Sequence, residues 1–140
     1  MAVVAAWLLL GVTRLLTLAL PFRVVRHLLG EQRSPAGPGA SPVPPQLRPR
    51  DLIRARKIGW AVRTAATRTP WRSECFPQAL TARLLLRRAR VPHVVTFGLR
   101  RDGAGALRAH VWVTADEVTV TGGSRESWTG VGSFAWAPRP

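Results

Sequence analysis

The chain has 140 residues, enough for one domain with a modest core and too few for two. Its single cysteine rules out an internal disulfide and suits a reduced, cytoplasmic setting; the three histidines, His27, His93 and His110, are too widely spaced to form a structural zinc site. Twenty-one basic residues against seven acidic ones give a net charge of +14, but the arginines are scattered through every segment, so no nucleic-acid partner is expected and an acidic peptide fits the same field.

Residues 2–20, AVVAAWLLLGVTRLLTLAL, are apolar apart from Thr13, Thr17 and Arg14. The length allows a membrane span, yet the internal charge costs about 2.5–3.5 kcal/mol while seven leucines return about 0.3–0.6 kcal/mol each, a balance near zero. No basic residue precedes the run and no small-x-small cleavage site follows it, which counts against a signal peptide. The simplest reading is a hydrophobic helix packed on the domain or a partner, kinked at Pro21 and stopped at Gly30; membrane contact through residues 2–29, as a span or a surface anchor, is the alternative. Residues 1–30 thus form an N-terminal helical segment.

Residues 31–50 hold six prolines and two glycines and read as a linker. The folded domain is expected over residues 51–140. Asp51 is the expected N-cap of a helix running to Thr69, with Leu52, Ala55, Ile58, Ala61 or Val62, and Ala65 at helical spacing and Trp60 assigned to the core.

The next helix opens on WRSECFPQALTARLLL, residues 71–86. Ser73 is the expected cap, Glu74 complements the positive end of the helix dipole, and Pro77 is tolerated in a first turn whose N–H groups lack intrahelical partners. Cys75, the only cysteine, falls at this start, where the dipole favours the thiolate, the nucleophilic form. A buried, inert cysteine is the plain alternative.

After Val91-Pro92 the pattern changes from period 3.6 to period 2, predicting strands over residues 93–99, 107–114 and 117–121. On the middle strand Arg108, His110, Trp112 and Thr114 share one face. A two-residue turn at Ala115-Asp116 would pair His110 with Thr121. His93, at the start of its strand, reads as structural. The glycine-rich tail from Gly122 is expected to fold back over the sheet, with Trp128, Phe134 and Trp136 as plugs.

A cysteine at a helix N-terminus followed by a strand-borne histidine is a workable thiol-peptidase layout: Cys75 as nucleophile, His110 as proton acceptor, and helix N–H groups, with the Gln78 side chain, as oxyanion donors. Trp71 and Trp112 are candidate walls of a substrate groove. The stretch WRSECFPQALTARLLLRRARVPHVVTFGLR with the later AHVWV resembles the transglutaminase-like leader peptidases of lasso-peptide biosynthesis, the protease half of the maturation B protein. The likeness covers roughly residues 51–123 and rests on a C-x-P-x-A-L block, a leucine- and arginine-rich helix, a V-P break and A-H-x-W-V.

That resemblance implies an α+β, papain-like or transglutaminase-like fold, with the cysteine helix packed on a small antiparallel sheet, and a cysteine endopeptidase that removes the leader from a ribosomally made precursor peptide. It implies Cys75 and His110 as the catalytic pair, no cofactor or metal, a separate leader-recognition protein, and delivery of the core peptide to an asparagine-synthetase-like cyclase. Family members add an acid about twelve residues after the histidine, where this chain has Thr121-Gly122-Gly123. Thr121, a neighbouring backbone carbonyl or Asp116 is then the candidate for orienting the base. Asp102 and Glu126 reach the site only if their loops fold onto it. The reading from another class is a non-catalytic, membrane-associated or nucleic-acid-binding basic module.

Overall fold

The computed structural model describes residues 1–21, 23–24, 27, 32–33, 46–70, 74–124 and 126–139. Among the described residues, α2 (Pro49–Ala66) and α3 (Cys75–Arg88) pack on one face of an antiparallel sheet and α1 (Ala2–Ala19) packs on those two helices, giving the α+β class expected. The sheet contains β1 (Gln32–Arg33), β2 (His93–Arg101), β3 (Leu107–Ala115), β4 (Val118–Thr121) and β5 (Thr129–Trp136), in the order β1-β5-β2-β3-β4.

α1 ends at Leu20, whose backbone is extended, directly before Pro21. Ala6 and Leu10 are fully buried in the same core as Ala55, Val62, Leu80 and Leu86 of the other helices, so α1 is packed on the domain. α2 begins three residues earlier than the sequence suggests. Its N-cap is Arg48, Pro49 occupies the first turn where its missing N–H costs nothing, and Asp51 stands inside the helix with its carboxylate 3.3 Å from Arg54. Trp60, expected in the core, is 59% exposed.

Gly59 lets α2 approach β4 closely: an added Cβ would stand 2.7 Å from the Val120 carbonyl oxygen, which already accepts a 2.7 Å hydrogen bond from Arg63. Alanine would favour the helix by about 1 kcal/mol. The contact is with backbone, however, and overpacking costs about 1–3 kcal/mol. Gly59→Ala is therefore expected to lower stability by up to about 2 kcal/mol, read as a lower midpoint in urea at unchanged slope.

α3 ends at Arg88, with Arg90 in the left-handed region at φ 58°. The Val91 N–H reaches the Leu86 carbonyl at 2.9 Å and the Arg90 N–H reaches Arg87 at 3.0 Å, the paired bonds of a Schellman cap. Val91 and Leu86 are both fully buried at that junction. The cap turns the chain into β2, and β2 carries Val95 and Phe97 under the helices.

The β2–β3 pairing is regular, with Phe97 opposite Val111 and Gly98 opposite His110. β3–β4 departs from the register expected: the two-residue turn is Asp116-Glu117, so Ala115 pairs with Val118, and with a further shift between Val113 and Thr114 it is Val113, not His110, that lies opposite Thr121. The tail is a strand and not a set of plugs. β5 pairs with β2 along its length, with one irregularity between Phe97 and Gly98, where Val131 falls out of step.

His93 is fully buried on the helix side of β2. Its Nδ1 donates to the Val91 carbonyl at 2.8 Å, which leaves Nε2 to accept from Arg83 at 3.4 Å. Burial pushes the His93 imidazolium down from 6.5 to about 4, against the Val91 hydrogen bond and with help from Arg83 and Arg87. Burial likewise brings the Arg83 guanidinium down to about 10, with Arg87 adding to it. Between pH 4 and 6.5 the unfolded chain therefore takes up a proton at His93 that the folded chain refuses. Stability from this residue is complete above pH 6.5 and is lost as pH falls towards 4, a loss of about 3 kcal/mol. His93→Gln should flatten the melting temperature against pH across that window.

Candidate active site

Cys75 is the first residue of α3, half-buried and free of any disulfide. The N-cap is Glu74, with no side-chain capping bond; Ser73, the expected cap, and Trp71, the expected groove wall, lie outside the described residues. Pro77 sits in the first turn and offers no N–H, while the Gln78 N–H donates to the Glu74 carbonyl at 3.3 Å. The candidate oxyanion donors of this turn are therefore the N–H groups of Cys75 and Phe76. The Gln78 side chain is half-buried one helical turn behind.

The first turn of α3 is held by α1. The buried Thr13 hydroxyl donates to the Pro77 carbonyl at 3.3 Å and lies 3.1 Å from the Thr81 hydroxyl, while Arg14 stands 4.0 Å from Glu74. Phe76 meets Phe97 of β2 at 6.0 Å between ring centres. The cysteine is thus set on a rigid element with packing on two sides.

His110 is half-buried on β3. Its Nε2 is 2.6 Å from the Gly122 carbonyl oxygen, twelve residues further on, which is where the resemblance leads one to look for an acid. A carbonyl only accepts, so Nε2 carries the proton and Nδ1 is the basic nitrogen of the neutral ring. Trp128 stacks on the imidazole at 4.8 Å, and Arg100 lies over the other part of that stack, 4.3 Å from the Trp128 ring. Trp112 stands 6.1 Å from His110 and is buried against Gly98, where an added Cβ would meet the indole at 2.4 Å.

The other candidates for orienting the base are elsewhere. Thr121 is buried opposite Val113, and its hydroxyl has no hydrogen-bond partner among the described residues. Asp116, at φ 53° in the β3–β4 turn, accepts from the Leu47 N–H at 2.9 Å. Asp102 accepts from Arg108 at 2.8 Å and from the N–H groups of Ala104 and Ala106; the Arg108 bond first and the Ala106 N–H next hold its carboxyl below the usual carboxylate range. Glu126 is exposed. Among the described residues the Gly122 carbonyl is the hydrogen-bond partner of the imidazole, and Trp128 stacks on it. Trp128 was the unforeseen member of the cluster, and only its aromatic character in a glycine-rich tail hinted at such a role.

Cys75 and His110 do not form the expected pair in this structure. No hydrogen bond joins them. Val111 and Val113 lie in the core with the helices, so by strand alternation His110 and Trp112 project from the sheet's other face. α3, which carries Cys75, packs on the first face.

The transglutaminase-like superfamily model matches residues 16–133, a span that takes in Cys75, His110 and Gly122. That superfamily includes cysteine peptidases that work through Cys, His and Asp. No curated protein and no solved structure matches the chain. The match begins inside α1 and ends within β5, over most of the chain and the whole of β2, β3 and β4, and the chain belongs to the transglutaminase-like superfamily.

Proposed function

We propose that this protein is a cysteine endopeptidase that removes the leader from a ribosomally made lasso-peptide precursor. The observation that carries the reading is the His110 imidazole, fixed through Nε2 by the Gly122 carbonyl so that Nδ1 is its basic nitrogen. In this reading Cys75 Sγ attacks the scissile carbonyl and its proton goes to His110 Nδ1, which passes it to the leaving amine. Water then adds to the thioester, giving its proton back to Nδ1, and the collapse releases the leader's carboxylate and the thiol. The carbonyl of Gly122 does the orienting that an acid does in relatives, so the site works as a dyad. Catalysis in this reading needs Cys75 and His110 within hydrogen-bond reach in the enzyme–substrate complex, so the first turn of α3 has to leave its packing against α1 and β2 there. A separate leader-recognition protein presents the precursor, and an asparagine-synthetase-like cyclase takes the core peptide. Cytoplasmic thiols keep Cys75 reduced.

The separation of Cys75 from His110 favours a second reading, a non-catalytic member of the superfamily that binds the precursor or its carrier. Mass spectrometry of the precursor incubated with the chain and its leader-binding partner separates the two. Cleavage at one bond by wild type and none by Cys75→Ala supports the peptidase; intact precursor with both, under conditions where the partner binds leader, supports the second reading.

A further inference from the structure

α1 has two apolar sides, and only one is used by the fold. Ala6, Leu10 and Thr13 are fully buried against the domain. Val4, Leu8, Val12, Leu15 and Leu18 are 60%, 58%, 50%, 68% and 71% exposed. At 3.6 residues per turn these five fall within an arc of about 120° on the opposite side and run for about 21 Å along the axis. Isolated exposed leucines need no explanation, but a continuous stripe of this length does.

The surroundings of the stripe are cationic. The first thirty residues contain no Asp or Glu. Arg23 and His27 are exposed just beyond the C-terminal end of α1, alongside Val24 at 44% exposure. Near the other end the Trp7 indole donates to the carbonyl of Arg68, itself exposed, at 3.4 Å. Trp7 is 37% exposed at the margin of the stripe, the place an amphipathic ring takes between apolar and wet surroundings.

We propose that this side of α1 binds an anionic lipid bilayer, with the helix lying in the plane of the surface, its five-residue stripe in the acyl boundary and the arginines at the headgroups. A spanning orientation would require Ala6, Leu10 and Thr13 to leave the core and the Thr13 bonds to Pro77 and Thr81 to break. A second copy is opposed by the net charge of +14 on each chain. The assignment rests on α1 and not on the peptidase reading, since it uses neither Cys75 nor His110.

Flotation of the full chain with vesicles tests it. The protein should rise with phosphatidylcholine vesicles containing phosphatidylglycerol, rise poorly with phosphatidylcholine alone, and be released by high salt. The double variant Leu8→Glu, Leu15→Glu should lose binding by about tenfold or more, while Leu107→Glu, at an exposed apolar residue of β3, should retain it, with melting curves confirming that both fold. Four results would overturn the proposal: no flotation with anionic vesicles, binding indifferent to the stripe variant, retention through an alkaline wash as a spanning helix shows, or a dimer in solution that the stripe variant splits.

Discussion

Cys75→Ala and His110→Ala are each expected to lower leader cleavage by about 10⁴-fold, and the double variant is expected to fall no further. Nucleophile and base act as one unit, so removing either leaves only positioning and oxyanion stabilisation. Neither change should unfold the protein. Cys75 is half-buried at a helix start and His110 half-buried on a strand, so stability should shift by no more than about 1–2 kcal/mol. His110→Ala does free the Gly122 carbonyl and one side of Trp128. Initial rates of precursor cleavage beside urea midpoints for the three variants check this: multiplicative losses, or a loss that tracks the midpoint, would mean that the two residues are not a catalytic pair.

Gly122→Ala is expected to produce the largest structural effect of any methyl group added to the sheet. Gly122 has φ 99°, and an added Cβ would stand 2.4 Å from Cβ and 2.7 Å from Cα of Trp112. Strain at such a φ costs about 1–3 kcal/mol and the overlap about as much again, so the sum is about 2–6 kcal/mol. That is a large part of the 5–15 kcal/mol that ordinarily holds a domain together. Because the Gly122 carbonyl holds His110 Nε2, any backbone shift that relieves the overlap also releases the imidazole, so activity should fall along with the midpoint.

Two comparisons make that result specific. Gly123 has φ 62° but open space around its Cβ position, so Gly123→Ala should cost only about 1 kcal/mol. At Gly98 the overlap, 2.4 Å, is with the far end of the Trp112 ring, so shortening Trp112 should offset part of the cost of Gly98→Ala. At Gly122 the overlap is with the Cβ and Cα that any residue at 112 short of glycine keeps, and the same shortening should bring no relief. Thermal melts of the single and double variants give the coupling in both pairs.

The elements that carry strong periodic signals were legible in the residues. Helix α3 announces its start through Glu74 and Pro77, and the β2–β3 hairpin is written as alternating apolar residues around Asp102-Gly103. β5 was not legible, because Gly130 and Gly132 break the alternation and the ladder shifts beside Val131. The start of α2 was hidden for a different reason: Asp51 is a good N-cap, but Arg48-Pro49 begins the helix first, since proline is already set to the helical φ.

The candidate site was half legible. The position of Cys75 follows from local helix-end chemistry, but the partner of His110 depends on register, a non-local property. Counting from a tight turn sets Thr121 across from His110. The turn instead falls one residue later, at Asp116-Glu117, and together with the shift between Val113 and Thr114 this sets Thr121 opposite Val113 and leaves the Gly122 carbonyl beside the imidazole. No sequence pattern announces that shift. The face from which His110 projects follows from alternation, but which face the helices cover is decided by packing of the whole core.

The most direct test of the central claim, that Cys75 is a nucleophile served by His110, is the rate of Cys75 alkylation by iodoacetamide in the native protein, with the leader-binding partner and a non-cleavable precursor analogue present or absent, in wild type and His110→Ala. The account predicts fast native alkylation that slows about tenfold or more in His110→Ala and is blocked by the bound analogue. Alkylation that proceeds only on unfolding, at the same rate with and without His110, would contradict it.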